Sequence, residues 1–214
     1  MLHQLQNTTA AEAELFGDLN PLLEQIGSPD GLASLTGGRD PLAALAIRTT
    51  AGLRSFLDEY HKRILQPLEL PAIQRAFGHA RQNELRELVA YDQQLATEAG
   101  LKDFSAASRI VGLAQLQRLR PLRDDRFVQR YLAAVEASTA TGWHTLVYGV
   151  TLAVYHLPLR PGLVGYAQRT TQGFIQSAAR SLKLSRPDAE SLIEEFSARL
   201  PAAIEPLLPT AVVS

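Results

Sequence analysis

Apolar residues recur at intervals of three and four positions along most of the chain, the spacing that puts them on one face of an α-helix. After an N-terminal helical pattern from Leu15 to Ile26, this spacing predicts helices over Ala51–Leu65, Arg81–Ala99 and about Gly162–Leu182. Further helices are predicted over Pro41–Thr49 and Ala72–Gly78, and from a cap at Asp103 or Ser105 to about Leu119. Two more are predicted to carry the apolar residues Phe127 to Val135 and Leu192 to Ile204, after caps at Asp124 and Ser185. The nearly uniformly apolar segment Trp143–Tyr155 predicts a helix at the centre of a bundle, because no face of it suits water.

Glycine, proline and capping residues set the expected helix ends. The stretch Gly27–Pro41 is rich in Gly, Pro and Asp, which predicts a long loop. Pro67 and Pro71 predict a non-helical interruption between two helices. Asp124 is expected to cap the helix that follows it, and Ser185, with an aspartate three residues later, indicates the start of the last helix.

The composition favours an all-α fold over a mixed one. The chain has 214 residues, with 35 Leu and 30 Ala against 10 Val and 8 Ile. Strong helix formers therefore far outnumber β-branched residues. We expect one irregular or orthogonal bundle of about eight to ten helices over residues 1–214, with a flexible N-terminus (about 1–12) and C-terminal tail (about 207–214).

Charge and cysteine content narrow the function classes. The formal net charge is −1, whereas nucleic-acid binders usually carry a basic excess, so we expect no nucleic-acid partner. The chain has no Cys, which excludes disulfides, thiol catalysis and cysteine-ligated metals. No uncharged apolar run reaches the roughly 18 residues of a membrane span, and the N-terminus lacks a basic signal region. These features predict a cytoplasmic protein without a membrane partner.

Local catalytic signatures are missing from the sequence. It contains no GxxxxGK, GxGxxG, GxSxG or HExxH motif, and no two His lie three or four residues apart. His144 and His156 are twelve residues apart, about 18 Å along a continuous helix, so we expect helix-end roles for both and no shared metal. We therefore expect neither enzymatic activity nor a cofactor.

Two arginines stand out because they lie among small and apolar residues. Arg109 lies in SAASRIVG and Arg180 in SAARSLKL. An arginine beside an apolar helical face either pairs internally or reaches a partner, so both are candidate partner-binding residues. Gly142, Gly149, Gly165 and Gly173 cluster in the same half of the chain, and they favour close helix packing, with a surface shaped for a partner as the alternative.

Four stretches, taken in order, resemble the UreF family of urease accessory proteins over about Leu53–Leu208. They are RSFLDEYHKRILQPLELPAIQRAF (residues 54–77), VAYDQQLATEAGLKDFSAASRIVGLAQLQRL (89–119), TGWHTLVYGVTLAVYHLPL (141–159) and YAQRTTQGFIQSAARSLKLS (166–185). The family's N-terminal Pro-x-Gly-Gly-Phe-x-His-Ser-x-Gly-Leu-Glu stretch has only SPDGLASLTGGRD as its counterpart, without the His and the Gly-Leu-Glu. The family's Leu-Gly-Gln after the last of the four stretches is replaced by Leu-Lys-Leu-Ser.

The resemblance implies a non-catalytic chaperone that forms a homodimer and binds UreD, called UreH in some systems. Together these would recruit the GTPase UreG and support nickel insertion into apo-urease, with nickel cation binding as a family attribute. Arg180 matches the arginine of the family's late Ala-Ala-x-Arg helix, which implies partner binding. The segment holding Gly142, His144 and Gly149 implies a structural role.

The C-terminal tail is a second candidate docking segment. In the family this tail is ordered by the UreD partner, which implies roles for Leu207, Leu208 and Val212. The tail is apolar and without a pattern of its own, which independently favours ordering by a partner.

Two other interpretations remain open at this point. One is a helical enzyme or ligand-binding bundle with a pocket lined by Tyr148, Tyr155 and His156, which interrupt an apolar helix. The other is a homo-oligomeric interaction protein without a urease role, which the altered N-terminal stretch favours. An enclosed pocket between the two tyrosines would support the first of these.

Overall fold

All regular secondary structure in the described part of the chain is helical. A computed structural model describes residues 47–122 and 125–208, with the side chains of 102–104, 107, 180 and 181 left out. It contains α1 (Thr50–Tyr60), a π-helical segment (His61–Glu69), α2 (Leu70–Arg81), α3 (Leu85–Leu95), a 3-10 helix (Ala99–Phe104), α4 (Ser105–Leu119), α5 (Arg126–Glu136), α6 (His144–Val154), α7 (Leu159–Leu182), α8 (Arg186–Ser197), α9 (Leu200–Ile204) and a short 3-10 turn (Glu205–Leu207). Because no strand occurs in these ranges, the all-α prediction is confirmed.

The predicted break at Pro67 and Pro71 is wrong, because helical structure is continuous from Thr50 to Arg81. The chain accommodates Pro67 inside a π-helical segment, in which Leu70 N–H bonds to Leu65 O, five residues back. A proline ring crowds the carbonyl four residues before it in an α-helix, and the wider π turn relieves that crowding. Pro71 lies at the start of α2, where a missing N–H is tolerated.

The central helix predicted from Trp143–Tyr155 is confirmed as α6. All residues from His144 to Ala153 are buried. On one side Tyr148 and Leu152 join a core cluster that also contains residues of α1, the π segment, α7 and α8. On another side Leu146 and Val150 join a second cluster with residues of α3, α4 and α5. Helix α6 therefore connects the two clusters.

Close contacts at two glycines hold the neighbours of α6 in place. A Cβ built on Gly149 would lie 2.4 Å from Ile73 O, so only glycine lets α6 approach α2 this closely. A Cβ built on Gly112 would lie 1.8 Å from Gly142 O, so α4 packs directly on the turn before α6. The packing prediction is confirmed for Gly142 and Gly149, but it is wrong for Gly165, where a Cβ would meet no atom within 4 Å.

Some predicted helix ends differ from the observed ones by one to four residues. Asp125 caps α5, its side chain accepting a 3.0 Å bond from Val128 N–H, whereas Asp124 had been predicted for this role. Ser185 caps α8 as predicted. Helix α3 is shorter than the predicted Arg81–Ala99 segment because Asn83, with φ of +58°, turns the chain before it. Residues 47–49 of the predicted Pro41–Thr49 helix are not helical, because Thr49 is the extended N-cap of α1. The predictions for residues 1–46 and 209–214 lie outside the described residues.

Candidate functional site

The π-helical segment carries two buried titratable side chains, one at each end. His61 is only 4% exposed and Glu69 only 8% exposed. Long π segments are rare in proteins and often occur at functional sites. The wider register turns both ends of the segment toward the interior, where their side chains meet residues of α1 and α7.

The Glu69 carboxyl is surrounded by phenols. Tyr60 Oη–H donates a hydrogen bond to Glu69 Oε2, and the Tyr166 phenol lies close enough to influence the pKa of this carboxyl. Burial raises the pKa of Glu69 to about 7, although the phenols of Tyr60 and Tyr166 act in the opposite direction.

His144, at the start of α6, hydrogen-bonds to side chains of two neighbouring helices. Its Nε2 lies 2.8 Å from Tyr166 Oη and its Nδ1 lies 2.7 Å from Ser108 Oγ. Its backbone N–H also donates a 3.1 Å bond to Ser108 Oγ. Burial lowers the pKa of His144 to about 4, so the ring is neutral at physiological pH. The predicted helix-end role with a hydrogen-bonded ring is therefore confirmed for His144.

A small cavity lies beside these groups, but it has no room for a substrate. Its volume is about 10 Å³, close to the minimum that one water molecule needs. Its walls are formed by Leu68, Glu69, Ala72, Leu101, Ser108, Trp143, His144 and Thr145. Ionisable groups therefore converge around a space that holds at most a water molecule.

Asp92 on α3 is a second buried polar centre. Its carboxylate accepts hydrogen bonds from Tyr131 Oη at 2.8 Å, Thr141 N at 2.6 Å and Gly142 N at 2.9 Å. Its backbone carbonyl accepts a 3.3 Å bond from Trp143 Nε1. These hydrogen bonds hold the turn before α6 against α3 and α5, so the role of Asp92 is structural.

His61 is held in one tautomer by its partner. Thr171 Oγ1 already donates to Ala167 O at 2.7 Å, so it accepts the 2.8 Å bond from His61 Nε2–H. His61 Nδ1 is buried without a hydrogen-bond partner, and the ring meets Phe196 edge-on at 5.0 Å. Burial lowers the pKa of His61 to about 4, with the charge of Arg199 acting in the same direction.

The residues of the predicted tyrosine pocket are not brought together. Tyr148 is fully buried and its Oη donates to Gly162 O at 2.9 Å. Tyr155 is 43% exposed, and His156 is exposed after the end of α6. Within the described ranges these three side chains do not line a common enclosed space, which removes the motivation for the ligand-binding interpretation.

The predicted partner-binding residues lie in different places. Arg109 is exposed on α4, with Nη2 donating to Ser138 Oγ at 3.2 Å, and it adjoins Ile110, which is 62% exposed. Leu207 and Leu208 are half-buried against the first core cluster. The Arg180 side chain and Val212 lie outside the described residues, although the backbone at 180 belongs to α7.

Sequence reasoning missed two buried hydrogen-bonded groups, the pair Tyr60–Glu69 and the set formed by Tyr166, His144 and Ser108. Their members are spread over four helices and the π segment, and their separations follow no local motif. The one available signal was a polar residue in an apolar setting, as for His144 in the Trp143–Tyr155 segment.

Among the described residues, no group of three or more His, Asp or Glu side chains is placed to hold a metal ion. No helix in the same residues combines the length and the apolar character needed to cross a bilayer.

The family model for UreF matches residues 47–197. This match covers more than two thirds of the 214 residues and extends from the start of the described chain through α8. The chain belongs to the UreF family of urease accessory proteins. A search among curated proteins found none that matches the chain.

Proposed function

We propose that the protein is a non-catalytic scaffold for urease activation. It binds UreD (UreH in some systems), and the pair recruits the GTPase UreG for nickel insertion into apo-urease. The single observation that carries this proposal is the family match over residues 47–197. It acts in the cytoplasm as a homodimer, and the absence of Cys from the sequence is compatible with that reducing compartment.

The arrangement of polar groups supports a scaffold rather than an enzyme. Asp92, His61 and His144 are buried in the packed interior, and they hydrogen-bond to neighbouring helices and turns. The cavity beside Glu69 is too small for a substrate. The outer surface is therefore the part of the chain that binds other macromolecules. Nickel binds to the assembled complex, since no group of side chains among the described residues is placed to hold a metal ion.

Three surface features are proposed as contacts for these partners. Arg109 and the adjoining Ile110 combine an exposed guanidinium with an exposed aliphatic side chain, a pairing that is enriched at interfaces. Arg180, on the family-like late helix, is the second contact. The third is the tail from Leu207 through Leu208 to Val212, which begins on the core surface.

Co-purification tests the proposal. A tagged full-length chain is co-expressed with the UreD and UreG of the same urease system and purified under reducing, low-salt conditions. We expect both partners to be retained, Arg180→Glu to lose them, and Arg186→Glu, a matched change at a residue 89% exposed, to keep them. Failure of the folded wild-type chain to retain UreD would contradict the proposal.

A truncation separates the tail from the rest of the surface. Removing residues 209–214 leaves Leu207 and Leu208 in place against the core. We expect retention of UreD to decrease while the unfolding midpoint stays the same. Unchanged retention would exclude the tail as a contact.

A further inference from the structure

Helices α4 and α5 lie side by side at the surface of the described chain. Near the start of α5, Gln129 Nε2 donates a 3.1 Å hydrogen bond to the carbonyl oxygen of Arg120, just after α4. Toward the other end of the pair, Arg109 Nη2 donates a 3.2 Å bond to Ser138 Oγ, just after α5. The two helices are therefore antiparallel, and their outer sides adjoin.

Four arginines set the charge of these outer sides. Arg109 and Arg118 lie on α4, Arg126 and Arg130 lie on α5, and all four residues are exposed. Among the described residues, none of the four is within ion-pair distance of an acidic side chain. We call these arginines, together with the exposed Ile110 between the first two, the α4–α5 face.

The nearby acidic side chains are already engaged and do not offset this charge. Helix α4 contains no Asp or Glu. The Asp125 carboxylate accepts the N-cap bond from Val128 N–H, and Glu136 forms an ion pair with Arg120. By contrast, Arg199 pairs with acidic side chains of both α1 and α8. The α4–α5 face therefore presents positive charge to its surroundings.

An aliphatic side chain projects between these charges. Ile110 is 62% exposed, and the residues one turn before and after it, Ala106 and Ala114, are exposed as well. Their short side chains do not cover the isoleucine along its own row of the helix. An apolar centre surrounded by arginines is typical of protein–protein interfaces, in which arginine is enriched and lysine is depleted.

We propose that the α4–α5 face docks an acidic surface of a different protein. The proposal rests on the proposed function, because it names the chemistry of the partner that contacts Arg109. Carboxylates of the partner form charge-assisted pairs with the planar guanidinium groups, and an apolar group of the partner covers Ile110. Opposite charge also guides the partner to this face during association.

The charge of the face argues against a second copy of this chain as the occupant. A two-fold contact places the same patch of each copy against the other, so the arginines of the two faces would repel. Contact with another face of the second copy would be head-to-tail, which produces rings or open filaments and not the proposed homodimer. The homodimer therefore uses another surface.

Nucleic acid and anionic lipid fit the face less well than an acidic protein does. The formal net charge of the whole chain is −1, so no long-range attraction draws a polyanion to it. Neither α4 nor α5 contains a lysine, although polybasic surfaces usually combine both basic residues. A phosphate backbone also offers no apolar group to cover Ile110.

Charge reversal on α5 tests the proposal in the full-length chain. The variant Arg126→Glu/Arg130→Glu reverses two charges of the face, and neither side chain makes a hydrogen bond or an ion pair with the described residues. The matched control is Arg63→Glu/Arg186→Glu, which reverses two side chains that are 75% and 89% exposed on other elements. Thermal unfolding followed by circular dichroism checks that both variants fold.

Co-purification of UreD and UreG with the tagged chain is then compared, and light scattering measures self-association. We expect the α5 variant to retain the partners about tenfold less than the wild type, while the control retains them and both variants self-associate normally. Retention by the wild type should also decrease when the NaCl concentration is raised from about 0.05 M to about 0.5 M, because salt screens exposed charges.

The possible results separate this proposal from the proposed function. Full retention by the folded α5 variant would overturn the docking face and leave the scaffold proposal standing, whereas failure of the wild type to retain either partner would overturn both. Loss of self-association in the α5 variant would make a second copy the occupant and overturn the proposal. Wild-type binding to a short DNA duplex or to phosphatidylcholine–phosphatidylserine vesicles that is lost in this variant would overturn it equally.

Discussion

The backbone N–H of Gly142 donates a 2.9 Å hydrogen bond to the fully buried carboxylate of Asp92. Gly142 has φ of +73°, and a Cβ there would lie 2.8 Å from Val135 Cγ1, so the turn needs glycine as well as the carboxylate. Asp92 and Gly142 are fifty residues apart, and their bond joins α3 to the start of the central helix.

Removing the Asp92 carboxylate should destabilise the whole fold. Asp92→Ala leaves Tyr131 Oη and the N–H groups of Thr141 and Gly142 without their acceptor in the interior. Each unsatisfied buried group costs about 1–3 kcal/mol, and partial relaxation reduces the sum, so we expect a loss of about 3 kcal/mol or more. Urea unfolding followed by circular dichroism measures it.

Gln94→Ala is the matched control for this change. Gln94 lies on the same helix and its side chain is exposed, so we expect a change of about 0.5 kcal/mol or less. Equal urea midpoints for Asp92→Ala and Gln94→Ala would show that the carboxylate does not hold the turn.

Two glycine-to-alanine substitutions should change the free energy of unfolding in opposite directions. Gly149→Ala places a methyl group 2.4 Å from Ile73 O at the contact between α6 and α2, so we expect destabilisation by about 1–3 kcal/mol. Gly165→Ala on α7 meets no atom within 4 Å, so helix propensity alone acts, and we expect stabilisation by up to about 1 kcal/mol. Thermal or urea unfolding of both variants measures the difference, and a shift of the same sign in both would contradict the packing described.

The pH dependence of stability should show opposing contributions from buried groups. The folded pKa of His61 and of His144 is about 4, below the ordinary 6.5, so the unfolded chain binds more protons and the free energy of unfolding falls as pH drops from about 6.5 to about 4. Glu69 acts in the opposite direction. Its folded pKa of about 7 exceeds the ordinary 4.5, so its contribution is complete below about pH 4.5 and is lost as pH rises through 7.

In Glu69→Gln the free energy of unfolding should therefore fall more steeply as the pH is lowered. Wild-type Glu69 binds a proton in the folded state over this range, and the glutamine cannot. The slope of the free energy of unfolding against pH, between about pH 4.5 and about pH 6.5, should therefore increase by about 1.4 kcal/mol per pH unit. Denaturant unfolding at several pH values measures this slope, and Glu194→Gln, at an exposed residue, should keep the wild-type slope. An unchanged slope in Glu69→Gln would contradict the raised pKa.

Partner binding should depend on the exposed surface at Ile110 without affecting stability. Ile110→Lys places a charge at a side chain that is 62% exposed, so we expect a change in unfolding free energy of about 0.5 kcal/mol or less. Retention of UreD or of a second copy of the chain should decrease, because a lysine at an interface core costs desolvation. Size-exclusion chromatography and co-purification measure both, with Ala198→Lys, an exposed residue after α8, as control.

The sequence allowed the helices to be predicted where local rules decide. The uniform apolarity of Trp143–Tyr155 correctly predicted the central helix. The start of α8 was correctly predicted from Ser185 and the aspartate three residues later. The π segment was not predicted, because Pro67 ordinarily ends or kinks a helix, and no local pattern shows that the chain accommodates it in a wider turn.

The buried polar groups were beyond sequence reasoning for a different reason. Tyr166 and Ser108 reach His144 only because α7 and α4 pack around α6, and neither of the two belongs to a local motif. His144 alone drew attention, as a polar residue beside an apolar helix. The exposed Arg109 was predicted from its apolar neighbours, but its role depends on partners that no single chain displays.

Activation of apo-urease tests the central claim most directly. Apo-urease, UreD, UreG, GTP and nickel are incubated with and without the purified full-length chain, and urease activity is then measured. We predict that activity rises when the wild-type chain or Arg186→Glu is added, and remains at the level without the chain when Arg180→Glu is added. Equal urease activity with and without the folded wild-type chain would contradict the account.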